Sequence, residues 1–183
     1  TTFQTFIVYE DIYPEFPLPA PQCILGNSFD FDGQGQYPPI GTTFEWDFGP
    51  NAIPTTATSE DVFNLTYSDY GYQTVSFTIF YETCEETITD SVFVFAEPTI
   101  GFVLSDELKC APYLAFFNDT SFASTEIFYS WDFGDGTELS NLENPQHMYQ
   151  NPGVYDLTLT IWTTSGCVDT LTLSIPDFIQ VFP

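Results

Sequence analysis

The chain has 183 residues and is strongly acidic, because 26 aspartate and glutamate residues face a single lysine and give a formal net charge of −25. Nucleic-acid binding is excluded, since almost no cationic side chains are present to displace phosphate counterions, and anionic lipid surfaces would repel the chain. No run of 18 apolar residues occurs, so we expect no membrane insertion.

The chain opens with an apolar segment that predicts the end of an earlier repeat. Residues 5–9 (TFIVY) are similar to residues 91–95 (SVFVF) and 178–182 (FIQVF), which close the two halves of the chain. Three closing segments serve only two domain bodies. We therefore expect residues 1–13 to be the closing strand of a preceding repeat in a longer tandem array.

Residues 14–97 and 98–183 predict two copies of one small β-domain. Trp46 and Trp131 lie 85 residues apart, in the similar segments FEWDFG and YSWDFGDG. Apolar residues alternate with polar ones in the long strand of each copy, at 75–81 and 155–161, which is the period of a half-buried strand. Short strands between proline and glycine turns predict an all-β chain of two tandem β-sandwiches.

The four cysteines repeat with the domains. Each copy has one cysteine about 20 residues before its tryptophan and one nearly 40 after it. If each domain is self-sufficient, the pairs are Cys23–Cys84 and Cys110–Cys167, and each disulfide would stabilise its domain by about 4 kcal/mol. Zinc is the alternative, but there is no Cys-x-x-Cys and only one histidine. Disulfides indicate an oxidising, extracellular location.

At these motifs the chain resembles tandem polycystic kidney disease (PKD) domains. The second copy carries the motif in residues 131–136, 147–149 and 153–159, whereas the first copy is degenerate and lacks the Asp-Gly and His-x-Tyr. The resemblance implies immunoglobulin-like sandwiches on an extracellular protein. The cysteine-bearing ending at 166–170 is similar to that of Bacteroidota surface proteins, including gliding and adhesion proteins.

The motif residues favour structural roles. We expect the tryptophans to be core residues packed on the disulfides and the aspartates to hold turns. His147 is expected to be a hydrogen-bonded structural residue, because no nucleophile motif accompanies it. The residues given these core and turn roles are Trp46, Asp47, Trp131, Asp132 and Asp135.

The segment Asp30-Phe31-Asp32-Gly33 resembles the Asp-x-Asp-Gly loop that helps to bind calcium in some members of the family. The resemblance implies a calcium site in the first copy only, with oxygen ligands of the kind that Ca²⁺ prefers. An ordinary solvated turn is the alternative. The candidate ligands are Asn27, Ser28, Asp30 and Asp32, and no other cofactor is expected.

Surface candidates follow from the outward face of the strands. Phe80 and Trp162 occupy equivalent positions there, suited to stacking on a glycan or a neighbouring subunit, unless a loop covers them. Ser91 and Thr170 lie in Asp-Ser/Thr-apolar segments that resemble acceptors of bacterial O-glycosylation.

Two functions are consistent with these features. The first is a non-catalytic stalk or filament of a bacterial cell-surface or adhesin-like protein, whose partners are neighbouring repeats, with self-assembly through residues 1–10. The alternative is an accessory carbohydrate- or protein-binding module of a secreted hydrolase. We expect no enzyme, because the sequence has no metal cluster, nucleophile elbow or phosphate loop.

Overall fold

Alternating apolar and polar residues form β-strands throughout the computed structural model, which describes residues 11–104, 109–168 and 170–183. No helix occurs in these ranges. The chain divides into two compact units, Thr1–Phe95 and Ala96–Pro183, where the sequence placed a boundary between residues 97 and 98. Most of the expected closing strand at 1–13 lies outside the described residues.

Unit 1 has ten described strands, of which two form a long hairpin. Its strands are β1 (Tyr13–Glu15), β2 (Gln22–Cys23), β3 (Phe29–Phe31), β4 (Gln34–Gln36), β5 (Thr42–Asp47), β6 (Ala52–Ile53), β7 (Thr56–Ala57), β8 (Val62–Tyr67), β9 (Gly71–Tyr81) and β10 (Cys84–Phe95). They form a five-stranded sheet in the order β2-β10-β9-β5-β7, a three-stranded sheet β3-β8-β6, and the pair β1-β4.

The core of unit 1 is built from the inward residues of its two larger sheets. The Trp46 ring of β5 stacks on Phe77 of β9, with ring centroids 4.1 Å apart, and meets Phe31 of β3 at 5.7 Å. All three side chains are fully buried, and burying one such side chain contributes about 2–3 kcal/mol. The alternation that predicted the long strand is confirmed, since Val75, Phe77 and Ile79 are buried.

Unit 2 has six described strands in two facing sheets. Its strands are β11 (Phe102–Leu104), β12 (Tyr113–Asp119), β13 (Ile127–Asp132), β14 (Gln146–Tyr149), β15 (Gly153–Thr163) and β16 (Thr170–Val181). The sheet orders are β11-β12-β14 and β13-β15-β16. Between them, Trp131 of β13 packs on Phe117 of β12 at a centroid distance of 5.6 Å. The predicted all-β, immunoglobulin-like sandwich is therefore confirmed.

The two units use the same strand register around their tryptophans. Trp46 pairs with Phe77 across β5 and β9, and Trp131 pairs with Leu159 across β13 and β15. Phe77 and Leu159 lie 82 residues apart. The first residues of the two long strands, Gly71 and Gly153, have the same separation.

Candidate functional site

The turn after Trp131 is held by its own polar side chains. The backbone N–H of Gly134 donates to Asp132 Oδ1 over 2.9 Å. Gly134 has a φ of +74°, and a Cβ there would lie 2.2 Å from the carbonyl oxygen of Asp156. Only glycine fits this close approach. The Asp-Gly motif therefore serves the turn and the adjoining strand.

Asp135 joins the same turn to β14. Its Oδ1 accepts from Thr137 Oγ1 over 2.6 Å, and its Oδ2 lies 2.8 Å from His147 Nε2. Burial opposes ionisation of Asp135, but the hydrogen bonds from Thr137 and His147 outweigh it and lower the pKa of the carboxyl. The His147 ring stacks on Phe133 with centroids 4.0 Å apart. This arrangement fastens the turn to β14.

The motif of unit 1 is held in a similar way with fewer groups. The backbone N–H of Gly49 donates to Asp47 Oδ1 over 2.8 Å. Trp46 Nε1 donates to the carbonyl oxygen of Glu60 over 3.1 Å, and Trp131 Nε1 donates to that of Leu142 over 2.9 Å. Both indoles are thus buried and satisfied by the loop that follows their strand.

The first candidate calcium ligand, Asn27, already has hydrogen-bond partners in the protein. Asn27 is buried, and its amide clamps two chain segments: Nδ2 donates to the carbonyl oxygens of Ile24 (2.7 Å) and Tyr67 (2.9 Å), while Oδ1 accepts from the Tyr67 N–H (2.6 Å). The Asn27 oxygen therefore already has a donor, and the side chain is part of the fold.

The remaining three candidates are exposed and also engaged in other contacts. Asp30 Oδ1 accepts from the backbone N–H of Asn64 over 2.9 Å, and Asp32 Oδ2 accepts from Gln34 Nε2 over 2.7 Å. The Ser28 N–H donates to Gln22 Oε1. Among the described residues, neither aspartate belongs to a cluster of three acidic, histidine or cysteine groups close enough to hold an ion.

The predicted pairing Cys23–Cys84 is wrong. Cys84 is an exposed free thiol, whereas Cys23 is disulfide-bonded. The strand register gives the reason, because Cys23 lies opposite Phe95, at the last residue of β10, and Cys84 is the first residue of that strand. Eleven residues of strand separate the two ends by about 36 Å, and a disulfide requires Cα atoms within about 7 Å.

The predicted pairing Cys110–Cys167 is wrong for the same reason. Cys110 is an exposed free thiol and Cys167 is disulfide-bonded. Cys110 forms a parallel bridge with Phe182, just after the end of β16. Cys167 precedes the beginning of β16, which places it about 40 Å away along the strand. Trp46 and Trp131 therefore pack on aromatic residues and not on disulfides within their own units.

The predicted surface residues lie on the two long hairpins, where Trp162 and Thr170 are cross-strand partners and Phe80 and Ser91 share one face of β9–β10. Phe80 and Trp162 are half-buried, and the Trp162 ring stacks on Phe128 with centroids 5.9 Å apart. Ser91 is half-buried within β10, and Thr170 is exposed at the start of β16. Interaction and glycosylation at these positions stay predictions.

Sequence reasoning missed an exposed aromatic group on unit 1. Tyr72 is 77% exposed and meets Phe93 edge-on at 4.8 Å, and Phe93 meets Phe95 at 5.0 Å. Tyr72 and Phe93 are cross-strand partners in the β9–β10 hairpin. The signal was the apolar Phe93 and Phe95 alternating with the buried Val92 and Val94, which places apolar side chains on both faces of the strand.

Comparison with known proteins places this geometry in a known class. Residues 98–175, most of unit 2, match the PKD domain family. Over 93% of this chain and 99% of the other, the fold is similar to that in the crystal structure of Dpr11 IG1 bound to DIP-gamma IG+IG2, with a TM-score of 0.60 and 11% identity.

Two further structures share the fold. The full ectodomain (Ig1–Ig3) of mouse nectin-like molecule 4 matches with a TM-score of 0.58 and 11% identity over 94% of this chain and 64% of that chain. The I-band fragment I67–I69 from titin matches with a TM-score of 0.51 and 14% identity over 94% of this chain and 66% of that chain. At these identities the likeness shows the fold alone.

The described residues therefore have an all-β, immunoglobulin-like sandwich fold, and residues 98–175 match the PKD domain family. Domains of both kinds are typical of extracellular regions. Within the described ranges, no helix has the length and apolar character needed to cross a membrane.

Proposed function

We propose that this chain is a non-catalytic, load-bearing repeat in the stalk or filament of a bacterial cell-surface or adhesin-like protein. The observation that carries the proposal is a parallel pairing, in each unit, between a segment near the start of the unit and the end of its last strand. In unit 1, β2 runs parallel to the end of β10, and the Ile24 N–H donates to the Phe95 carbonyl oxygen over 2.8 Å.

Unit 2 repeats this pairing. Cys110 bridges Phe182 in parallel, the Ala111 N–H donates to the Phe182 carbonyl oxygen over 2.9 Å, and the Phe182 N–H donates to Lys109 over 2.7 Å. When the two ends of such a unit are pulled apart, the paired parallel segments slide along each other. Their hydrogen bonds are then loaded together instead of one after another, which suits a unit that transmits force.

The polar motif residues support a passive role. Asp47, Asp132, Asp135 and His147 all hold turns through the contacts described above. The net charge of −25 gives the surface a strong self-repulsion that favours solubility. Extracellular location, assembly with neighbouring repeats and contact with glycans are parts of the proposal.

Single-molecule stretching of the chain in reductant tests this role. We expect two separate unfolding events, each releasing about 300 Å of chain, the extended length of about 85 residues. Ile24→Pro removes the N–H that donates to Phe95 and should lower the rupture force of one event, while the other event serves as the internal control. The proposal fails if the rupture force is insensitive to Ile24→Pro.

A binding module of a secreted hydrolase is the second candidate, favoured by the exposed Tyr72 and the half-buried Phe93 and Phe95 beside it. Retention of the chain on chitin, cellulose or collagen, and its loss in Tyr72→Ser, would support this alternative. Trp162→Ser is the matched variant in unit 2, where the Trp162 ring stacks on Phe128 on the outward face.

A further inference from the structure

The cysteines at equivalent positions of the two units are in opposite states. The cysteine beside the closing strand is disulfide-bonded in unit 1 (Cys23) and free in unit 2 (Cys110). The cysteine at the hairpin end is free in unit 1 (Cys84) and disulfide-bonded in unit 2 (Cys167). Each free thiol therefore occupies a position that the other copy uses for a disulfide.

Neither free thiol can be satisfied by the other cysteine of its own unit. The two positions lie at opposite ends of the closing strand, about 36–40 Å apart. Both Cys84 and Cys110 are exposed, so their sulfur atoms are accessible to an external partner. Exposed thiols are chemically reactive in an oxidising compartment.

The single cation of the chain lies beside one of the two free thiols. Lys109 directly precedes Cys110, after Asp106 and Glu107 in the sequence. Around Cys84, the hairpin carries Glu82, Glu85 and Glu86, all exposed. In a chain with a net charge of −25, Lys109 is the one cation that can meet the carboxylates around Cys84 of another copy.

We propose that Cys110 of one copy of this chain forms a disulfide with Cys84 of the next, so that consecutive copies are joined head to tail. The link deepens the proposed stalk or filament role and rests on it. The partner is a second copy of the same repeat, and the joining surface is the closing-strand end of unit 2 against the β9–β10 hairpin end of unit 1.

The reaction is an ordinary thiol–disulfide exchange with a low-molecular-weight disulfide such as oxidised glutathione. One cysteine thiolate attacks glutathione disulfide, forming a mixed disulfide and releasing one glutathione thiolate. The second cysteine thiolate attacks the protein sulfur, forming the Cys84–Cys110 bond and releasing the second glutathione. The two cysteines lose two electrons, the glutathione disulfide gains them, and the two thiol protons pass to the released glutathiones.

The test mixes two variants that each lack one of the free cysteines, Cys84→Ser and Cys110→Ser, with one of them isotopically labelled. Each variant has one free thiol left, and both changes lie at exposed positions, where substitutions usually alter stability little. Thermal melts of both variants establish that they are folded. After oxidation with glutathione disulfide, mass spectrometry of the disulfide-linked dimers measures the heterodimer against the two homodimers.

We expect the ratio of the Cys84–Cys110 heterodimer to the two homodimers to exceed its statistical value by about tenfold, a preference of ~1.4 kcal/mol. Lys109→Gln and high salt should reduce this excess, because both weaken the charge attraction. The wild-type chain should form head-to-tail multimers that reductant dissolves.

Three results would overturn the inference: a statistical mixture of dimers, an intramolecular Cys84–Cys110 bond in the wild-type chain, or no disulfide formation at all. None of these affects the stretching experiment, which is done in reductant. A loss of the covalent link with unchanged rupture forces would therefore remove this inference and leave the proposed load-bearing role intact.

Discussion

Asn27 provides a decisive test of whether the loop before β3 is a structural clamp or a calcium site. The side chain is 6% exposed and makes three hydrogen bonds of 2.6–2.9 Å to Ile24 and Tyr67. In Asn27→Ala all three are lost, and the Tyr67 N–H loses its acceptor. Since a net hydrogen bond contributes about 1 kcal/mol and an unsatisfied buried group adds a further penalty, we expect a loss of ~3–5 kcal/mol.

Asn27→Asp distinguishes a structural clamp from a calcium ligand, because the two roles predict different changes in stability. A carboxylate keeps an acceptor for the Tyr67 N–H, but it places a second oxygen against the carbonyl oxygens of Ile24 and Tyr67, where the amide had donated. A structural clamp is therefore weakened as much as in Asn27→Ala. A calcium ligand would instead be preserved or strengthened, because carboxylate oxygens suit Ca²⁺.

Thermal melts with calcium chloride or with EDTA measure the effect. A loss of ~3 kcal/mol in a domain of this size lowers the melting temperature by about 12–24 °C. Asp30→Asn is the control, since it removes a candidate ligand but keeps an oxygen for the Asn64 N–H, and we expect a change of less than ~1 kcal/mol. A wild-type melting temperature for Asn27→Asp in calcium, falling in EDTA, would refute the structural account.

Two further predictions concern the turn after Trp131. Gly134→Ala should destabilise unit 2 by more than ~2 kcal/mol, because its Cβ would collide with Asp156. Gly136 has a φ of +80° but open space around it, so Gly136→Ala should destabilise the unit by about 1 kcal/mol. Urea unfolding measures both losses, and equal losses would contradict the steric argument. Asp135→Asn should lower stability at pH 7 by no more than about 1 kcal/mol. Because the folded-state pKa of Asp135 is lowered, the wild-type advantage exists above the unfolded pKa of about 3.9 and disappears as the pH falls through the folded pKa. Urea unfolding at pH 7 and near pH 3 checks this, and an advantage that persists in acid would count against the pKa argument.

The strands were predictable because their signal is local. Residues two apart share a face of a strand, so the alternation around Phe77 and Leu159 identified the buried face without knowledge of any neighbour. The repeated tryptophan segment likewise predicted two copies of one domain. The aspartates of the motif were predictable as turn residues because their hydrogen-bond donors, the backbone N–H groups of Gly49 and Gly134, lie only two residues further along the chain.

The calcium loop could not be judged in the same way, because the partner of Asn27 is 40 residues away. Tyr67 becomes its neighbour only when β8 pairs with β3. The spacing of Asn27, Asp30 and Asp32 is compatible with a metal loop, but strand alternation turns both aspartates outward while Asn27 turns into the core.

By itself the sequence determined that this protein is a pair of similar all-β domains, because hydrophobic alternation and repeat spacing are properties of neighbouring residues. The state of the cysteines was decided only by the tertiary structure. Equal spacing suggested a closed pair within each copy, but the parallel pairing of β2 with β10 sets Cys23 beside Phe95, a full strand length from Cys84. Which ends of distant strands meet is a long-range property, and it leaves Cys84 and Cys110 exposed and free.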